Sequence, residues 1–424
     1  MSVSEFDYII VGGGLTGRVV ASHLKQSSPS SQVLLLEAGV DPVPHTVHSG
    51  EALGGGTTIN FGGWSRGDAA DYDLWAKTVG DKGWAFFDRE ADDQEHGFEG
   101  PVRVTSVSAS DPSRRYPLQE PLKDVWAEVG EQFNPASGTG QLSGVVEFLE
   151  TWQGGERQAA YQAYSLDGVK VITGATAHNV GRNLIDHFAL YQLWKLRDLE
   201  RGLALGSPKL VHPVISTLGL PPAVQKDKMR FGPDMDESIL TPAGPVVETI
   251  TLYVPIGLPA DGSLITTGTM LLAATSRGTV SIKSLSPIEN LLIDSNYYDT
   301  ETDKAVLTYG ARRTAKVMLD TAAMGTYIEC EVPPPGLSSS TSQSSDEEFD
   351  ARIRATGLAH HHPSGTAAMR KVVDADLRVF GVRSLRVVDA SILPVSIGGH
   401  PQATLYAAAE QAADIISQAD SIKM

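Results

Sequence analysis

The chain has 424 residues, 41% of them hydrophobic, so it is long enough to bury a large core and to form more than one domain. Its formal net charge of -17 disfavours nucleic acid as a partner. A single cysteine, Cys330, excludes an internal disulfide and a cysteine-rich metal site. Because no long apolar segment opens the chain, we expect a cytoplasmic protein that binds a small molecule and does not bind a membrane.

The first predicted unit is a β-α-β unit. Asp7 to Val11 is an apolar, β-branched strand, Thr16 to Lys25 has helical spacing, and Gln32 to Glu37 is a second strand. This order predicts the opening of a doubly wound parallel sheet. Leu385 to Asp389 is a short apolar run before a turn, and we expect it to join the same sheet.

The later elements predict a second domain built on an antiparallel sheet. Val246 to Ile256 and Thr279 to Lys283 alternate apolar and polar residues, as half-buried strands do. Helices are predicted at Thr302 to Leu319, after the capping box Ser345 to Glu348, and at Gln402 to Gln418, and a loop at Pro333 to Ser345. Because Pro401 is typical of a first helical turn, His400 is predicted to lie next to a helix N-terminus.

A glycine-rich turn follows the first strand directly. Gly12, Gly14 and Gly17 form a GxGxxG pattern, and Glu37 ends the next strand 20 residues later. Gly12 permits a tight turn, Gly14 a close approach to a pyrophosphate, and Gly17 close packing of helix on strand, while Glu37 can bind a ribose. The pattern indicates a dinucleotide site without separating FAD from NAD.

Several longer motifs follow one another along the chain: Phe6 to Gly39, Leu53 to Gly67 with Asp71 to Trp75, Gly181 to His187, Ser276 to Val280, Ile293 to Tyr297, and His362 to Ile416. Together, and in this order, they resemble the motifs of the glucose-methanol-choline (GMC) family of FAD-dependent oxidoreductases. The resemblance implies an α/β protein in which a Rossmann-like FAD domain (1-104, 155-187 and 362-424) is interleaved with an antiparallel-sheet substrate domain (105-154 and 188-361).

The resemblance also assigns residues to the cofactor and to the reaction. It places Gly54, Gly55 and Asn60 along the flavin, Asp389 and Ala390 near the FAD diphosphate, and Gln402 and Ala403 beside the isoalloxazine. His362 and His400 would be the catalytic pair. The reaction implied is oxidation of a small or secondary-metabolite alcohol, with proton removal by the histidines and hydride transfer to flavin N5.

Histidine is suited to this proton transfer because its ordinary pKa of about 6.5 lies near working pH. The positive end of a helix dipole would keep His400 neutral. The run His360 to His362 does not indicate a metal site, because adjacent strand residues alternate faces and no carboxylate accompanies them at ligand spacing. A structural role is expected for His187.

The chain is shorter than the family pattern in three places, one of which is the stretch after Trp84. The lid-bearing segment after Gly39 is brief, and Val171 to Val180 runs straight into Gly181 to His187 without the SAGAIGSP-like stretch that lines the flavin cavity. A divergent enzyme and a transcript with lost exons both explain this. We expect weak or partial FAD occupancy. The alternatives are a flavin-free isomerase, lyase or dehydratase using the same histidines, and a non-catalytic relic.

Overall fold

The computed structural model describes residues 5–38, 55–58, 60–85, 100–112, 118–135, 140–154, 156–173, 181–197, 211–218, 244–252, 262–284 and 291–421. Within these ranges the chain is a mixed α/β protein. Gly39 and Gly54 of the quoted motifs lie outside the described residues. No described helix is both long and apolar enough to cross a lipid bilayer.

The described strands fall into five sheets. In chain order they are β1 (Tyr8–Val11), β2 (Val33–Glu37), β3 (Gly63–Trp64), β4 (Thr105–Ser106), β5 (Gly144–Glu147), β6 (Leu149–Glu150), β7 (Trp152–Gln153), β8 (Glu156–Arg157), β9 (Lys170–Thr173), β10 (Arg182–Leu184), β11 (Phe188–Leu196), β12 (Val211–Leu218), β13 (Val247–Leu252), β14 (Leu264–Leu271), β15 (Gly278–Ser281), β16 (Leu292–Asp294), β17 (Ile328–Val332) and β18 (Gly357–Ala359).

The described helices surround these sheets. They are α1 (Leu15–Ser27), α2 (Ala69–Val79), α3 (Val107–Ser110), α4 (Gln119–Glu128), α5 (Ala160–Ala163), α6 (Glu301–Asp320), α7 (Asp346–Thr356) and α8 (Gln402–Ser421). The helices predicted from sequence are confirmed within a few residues of each end. The capping box before α7 is also confirmed, because the Ser345 side chain accepts from the Glu348 backbone N–H and the Glu348 side chain accepts in return from the Ser345 backbone.

The β-α-β unit forms as predicted, with β1 parallel to β2 and β9 on the far side of β2. Gly12 turns the chain after β1 with φ +93°, a conformation that glycine adopts at little cost. A side chain on Gly17 would place its Cβ only 2.0 Å from the Gly12 carbonyl oxygen. Glycine at position 17 is therefore what allows α1 to begin so close to the turn.

One face of β1 is exposed to solvent. Ile9 is 58% exposed and Val11 52% exposed, whereas Tyr8 and Ile10 pack inward. The prediction that Leu385 to Asp389 joins this sheet is wrong, because Arg386 forms only an isolated bridge with Arg378. The segment bonds instead to residues 377–379, which are close to it in sequence.

The largest described sheet has seven strands, ordered β17-β11-β14-β13-β12-β5, with β18 also paired to β11. Alternation along β13 gives its faces different neighbours. On one face the Thr249 hydroxyl lies 3.1 Å from the Thr314 hydroxyl of α6. On the other face are Glu248 and Ile250, and the ring of Tyr191 lies close over Gly268 beside Ile250. This second face forms one wall of the site described below.

Two large hydrophobic clusters account for much of the described core. One joins the seven-stranded sheet to α4, α6 and α7, and the other joins α1, α2 and α8 to residues 369–397. The clusters agree in outline with a substrate unit and a cofactor unit. The domain boundaries predicted from sequence stay a prediction.

The exposed face of β1 generates a stability test. Replacing exposed Ile9 by Thr should change the free energy of unfolding by no more than about 0.5 kcal/mol, because little burial is lost. Replacing Leu35 of the same sheet, which is fully buried, by Ala should cost about 2–5 kcal/mol. Urea unfolding of both variants measures this, and equal losses would show that Ile9 is covered.

Candidate active site

Four histidines from distant parts of the chain lie together. The ring centroids of His362 and His400 are 5.1 Å apart. That the two rings contact one small substrate stays a prediction. His360 lies 5.0 Å from His362 and 5.7 Å from His400, and His187 lies 5.0 Å from His362. The expected pair is therefore part of a larger cluster.

The backbone at His361 explains why two of the three consecutive histidines face the same way. Pairing of β18 with β11 ends at Ala359, and the His360 N–H then donates to the His187 carbonyl at 2.8 Å. His361 adopts a left-handed conformation with φ 59° and is exposed. The turn at His361 leaves the His360 and His362 rings close together, with their centroids 5.0 Å apart.

Two adjacent residues of the GRNLIDH motif hold His362. The Asp186 carboxylate accepts the His362 backbone N–H at 2.8 Å and the Tyr297 hydroxyl at 2.6 Å. The His187 and His362 Nδ1 atoms are 2.9 Å apart. His187 was expected to have a purely structural role, and its ring in fact contacts a predicted catalytic ring.

The tautomer of His187 determines which His362 nitrogen carries a proton. Ser396 Oγ, which bonds to the Leu272 carbonyl, lies 3.5 Å from Nε2 of His187. With Nε2 of His187 protonated, its Nδ1 accepts the proton on His362 Nδ1, and the lone pair of His362 is on Nε2. With Nδ1 of His187 protonated, His187 donates to His362 Nδ1, and His362 carries its proton on Nε2.

Burial keeps both of these rings neutral. Burial, and secondarily the neighbouring His400 ring, lowers the pKa of His187 to about 3. Burial, followed by the neighbouring His360, His187 and His400 rings, lowers the pKa of His362 well below its usual value. At neutral pH, both histidines therefore offer lone pairs.

His400 has a different partner. Its Nε2 lies 3.0 Å from Oε1 of Glu248, whose side chain is only 2% exposed. A carboxylate only accepts, so it favours a proton on Nε2 and a lone pair on Nδ1. The same carboxylate would stabilise His400 as an imidazolium, as the acid of a catalytic triad does. The Phe148 ring packs edge-on against the His400 ring, with the two centroids 6.0 Å apart.

The loop before His400 is held by residues of the motifs Leu53 to Gly67 and Asp71 to Trp75. Ser65 Oγ accepts the His400 backbone N–H at 2.8 Å, and Asp71 accepts the Gly398 N–H at 2.7 Å. Burial raises the pKa of Asp71 to about 7. Helix α8 begins at Gln402, which confirms that His400 lies next to a helix N-terminus. Motifs more than 300 residues apart in sequence thus position this ring.

The residues predicted to bind the diphosphate end of FAD form a local cradle. Gly14 caps the N-terminus of α1, where unpaired backbone N–H groups and the helix dipole favour an anion. The Gly13 N–H donates to Glu37 at 2.6 Å, so the acid predicted to bind the ribose lies beside the turn. The Cα of Gly14 lies against Gly55 of the short 3-10 helix Gly55–Thr58. These residues fit an adenosine diphosphate group.

A buried donor indicates the flavin end. Asn60 donates to Gln402 Oε1 at 2.7 Å, whereas Gln402 Nε2 is buried without a hydrogen-bond partner among the described residues. An unpaired buried N–H is unfavourable by about 1–3 kcal/mol, so an acceptor on a bound cofactor fits here. Ala403 is buried in the same helical turn. The predicted isoalloxazine contacts therefore suit the group they were assigned to.

The contacts that the structure shows for Asp389 and Ala390 are with other residues of the chain. Asp389 caps the 3-10 helix Ala390–Ile392 by accepting the Ser391 N–H at 2.8 Å, and the Ala390 carbonyl accepts the Gly365 N–H at 3.1 Å. These bonds shape the turn at Ala390–Ile392 and join it to Gly365. Their contact with a diphosphate stays a prediction.

Sequence reasoning missed the polar groups that hold the histidines: Asp186, Tyr191, Glu248 and His360. Glu248 gave a signal, since an acid within the otherwise apolar and threonine-rich strand of β13 is unusual at a buried position. Tyr191 and His360 gave none, because their contact at 2.7 Å joins residues 169 positions apart.

Comparison with known proteins identifies the family. Models described as GMC oxidoreductase match residues 6–180 and 274–409. The GMC-type oxidoreductase acuG of Aspergillus aculeatus is 31% identical over 528 aligned positions, which cover 97% of this chain and 99% of that protein. The alignment is longer than the present chain, so the relative carries segments that this chain lacks. The chain belongs to the GMC oxidoreductases, and it is an oxidoreductase of this FAD-dependent class.

More distant relatives also align with nearly the whole chain. The oxygen-dependent choline dehydrogenase of Serratia proteamaculans is 26% identical, covering 98% of this chain and 96% of that protein. The crystal structure of pyridoxine 4-oxidase from Mesorbium loti superposes with a TM-score of 0.80 at 21% identity, covering 97% of this chain and 99% of the other. The structural likeness confirms the predicted fold class.

The buried His187 predicts an acid-sensitive fold. Its pKa is about 3 in the folded protein and about 6.5 when unfolded, so below pH 6.5 the unfolded chain binds a proton that the folded chain does not. The free energy of unfolding should fall by about 2 kcal/mol from this ring between pH 6.5 and 5.

Urea unfolding at several pH values tests this with His187→Asn. The variant should lose less stability than the unmodified protein over that interval, and the difference should be about 2 kcal/mol. His361→Asn is the matched control, because His361 is exposed and should leave the pH dependence unchanged. Parallel pH curves for His187→Asn and the unmodified chain would contradict the assignment.

Proposed function

We propose that this chain oxidises a small alcohol to a carbonyl compound, with His400 accepting the hydroxyl proton and His362 positioning the hydroxyl group. The observation that carries this proposal is the buried Glu248 carboxylate at 3.0 Å from His400 Nε2. Curated relatives and solved structures named for choline and pyridoxine support the alcohol class of substrate. Their substrates are not assigned to this chain.

The different roles of His400 and His362 follow from the charges around each ring. Glu248 lies beside His400 and can balance a proton taken up at Nδ1. His362 is surrounded by three other imidazole rings, which disfavour a positive charge on it. A neutral His362 with its proton on Nε2 can donate a hydrogen bond to the alcohol oxygen while His400 accepts the hydroxyl proton. The base is therefore His400, and His362 is its neutral neighbour.

FAD, when bound, supplies the hydride acceptor for this reaction. The chain would hold it through the Gly12 to Gly17 turn and Glu37 at one end, and through Asn60 and Gln402 at the other. Gln402 is two residues after His400, so the base and the buried donor lie on the same short segment. We expect weak or partial occupancy, because the chain lacks the family's SAGAIGSP-like stretch.

Glu248→Gln tests the role of the carboxylate. It should lower kcat by about 100-fold, because the imidazolium on His400 loses its stabilising charge, and it should change the KM for the alcohol much less. The measurement is anaerobic bleaching of the flavin absorption by a panel of small aliphatic and aromatic alcohols. His400→Asn should lose at least as much activity.

Glu329→Gln is the matched control, because it makes the same substitution at an exposed ion pair with Lys195 on the sheet edge. Flavin content is measured from the absorption spectrum of each variant. Full activity in a flavin-loaded Glu248→Gln protein would contradict the proposed base. A colourless protein that FAD does not reconstitute, yet that converts a substrate only with both histidines intact, would favour the flavin-free isomerase or lyase.

A further inference from the structure

We propose that His360, His362 and His400 form a binding site for a divalent transition-metal ion of the zinc type. This reverses the expectation from the sequence that the run His360 to His362 does not indicate a metal site. One ring nitrogen of each residue lies within 4.8 Å of the corresponding nitrogens of the other two. The three rings cross at steep angles of 71° to 78°, so their edges can converge on one point. Imidazole nitrogen is a preferred ligand of zinc, copper and nickel and a poor one for magnesium or calcium.

Each of the three rings also has a partner on its other side. The Tyr191 hydroxyl lies 2.7 Å from Nδ1 of His360, His187 lies 2.9 Å from Nδ1 of His362, and Glu248 lies 3.0 Å from Nε2 of His400. Metal-binding histidines are typically oriented by a carboxylate or another acceptor at the second ring nitrogen. Coordination through the opposite nitrogens would leave all three of these bonds in place.

The lone pairs are arranged for a cation. In the tautomers with a proton on His362 Nδ1 and on His400 Nε2, the lone pairs are on His362 Nε2 and His400 Nδ1, and the Tyr191 hydroxyl can accept a proton from His360 Nδ1 as readily as it can donate one. In this state the three rings can bind one metal ion together. Glu248 provides a nearby buried negative charge that offsets part of the ion's charge.

The geometry needs only a small adjustment. Zinc–nitrogen bonds of about 2.0–2.1 Å place tetrahedral ligands about 3.4 Å apart, so the rings would rotate inward by roughly an ångström. The backbones of His362 and His400 are held by Asp186 and Ser65 while this happens. Three histidines leave a fourth position open for water or an alcohol oxygen.

A metal ion at this position would compete with the proposed reaction. It would occupy the His400 nitrogen that accepts the alcohol proton, so zinc should inhibit oxidation. This consequence rests on the proposed function, whereas the binding site rests on the three rings alone.

Calorimetric titration with Zn²⁺ tests the site on chelator-treated, tag-free protein. The unmodified chain should bind one ion, and His360→Asn should bind at least about tenfold more weakly, as expected for loss of one of three ligands. His361→Asn is the matched control, because its ring is exposed and asparagine tolerates the left-handed conformation found there. It should bind Zn²⁺ as the unmodified chain does.

Thermal unfolding without metal establishes that both variants are folded. A folded His360→Asn protein with unchanged Zn²⁺ affinity, or an unmodified chain that binds no Zn²⁺, would overturn the site. Added Zn²⁺ should inhibit alcohol oxidation by the unmodified chain and inhibit His360→Asn at least about tenfold less potently. Binding of Zn²⁺ by a chain with no oxidation activity would support the metal site and contradict the proposed function separately.

Discussion

A buried carboxylate paired with an imidazole is the interaction on which the site depends. Glu248 sits at 2% exposure on the seven-stranded sheet, and its contact with His400 joins that sheet to the C-terminal loop before α8. An isolated carboxylate at such a position would be strongly unfavourable, so the pairing constrains where the loop can lie. The bonds from Ser65 and Asp71 to the same loop fix its other side.

The same constraint explains why the histidines gather. The sheet face that carries Glu248 also carries Tyr191, whose hydroxyl contacts His360. Asp186 and His187 lie just before strand β11, and both contact His362. Each predicted catalytic ring therefore has a dedicated polar neighbour. A ring with one nitrogen engaged in this way presents the other in a defined protonation state, which proton transfer requires.

Local features could be predicted from the sequence because they depend on neighbouring residues. The turn at Gly12, the close packing at Gly17 and the capping box at Ser345 each follow from short-range geometry. The proximity of His362 and His400 came from resemblance to the family. The partners Glu248 and Tyr191 arise only when strands far apart in sequence are placed side by side, and no local pattern specifies that.

The error at Leu385 to Asp389 has the same origin. An apolar run predicts a strand but does not specify its partner. The segment bonds to residues 377–379 through one bridge and does not pair with β1, the edge strand of the described sheet. Val171 to Val180 runs directly into Gly181, so the stretch that lines the flavin cavity in the family is missing. Because the other cofactor residues are retained, we expect weakened rather than absent cofactor binding.

A crystal structure with FAD and an unreactive alcohol analogue tests the central claim most directly. The account predicts a cofactor acceptor atom within hydrogen-bonding distance of Gln402 Nε2, and the analogue's hydroxyl oxygen within hydrogen-bonding distance of His400 Nδ1. A cofactor bound away from the Gly12 to Gly17 turn, or a hydroxyl group that contacts neither His400 nor His362, would contradict it.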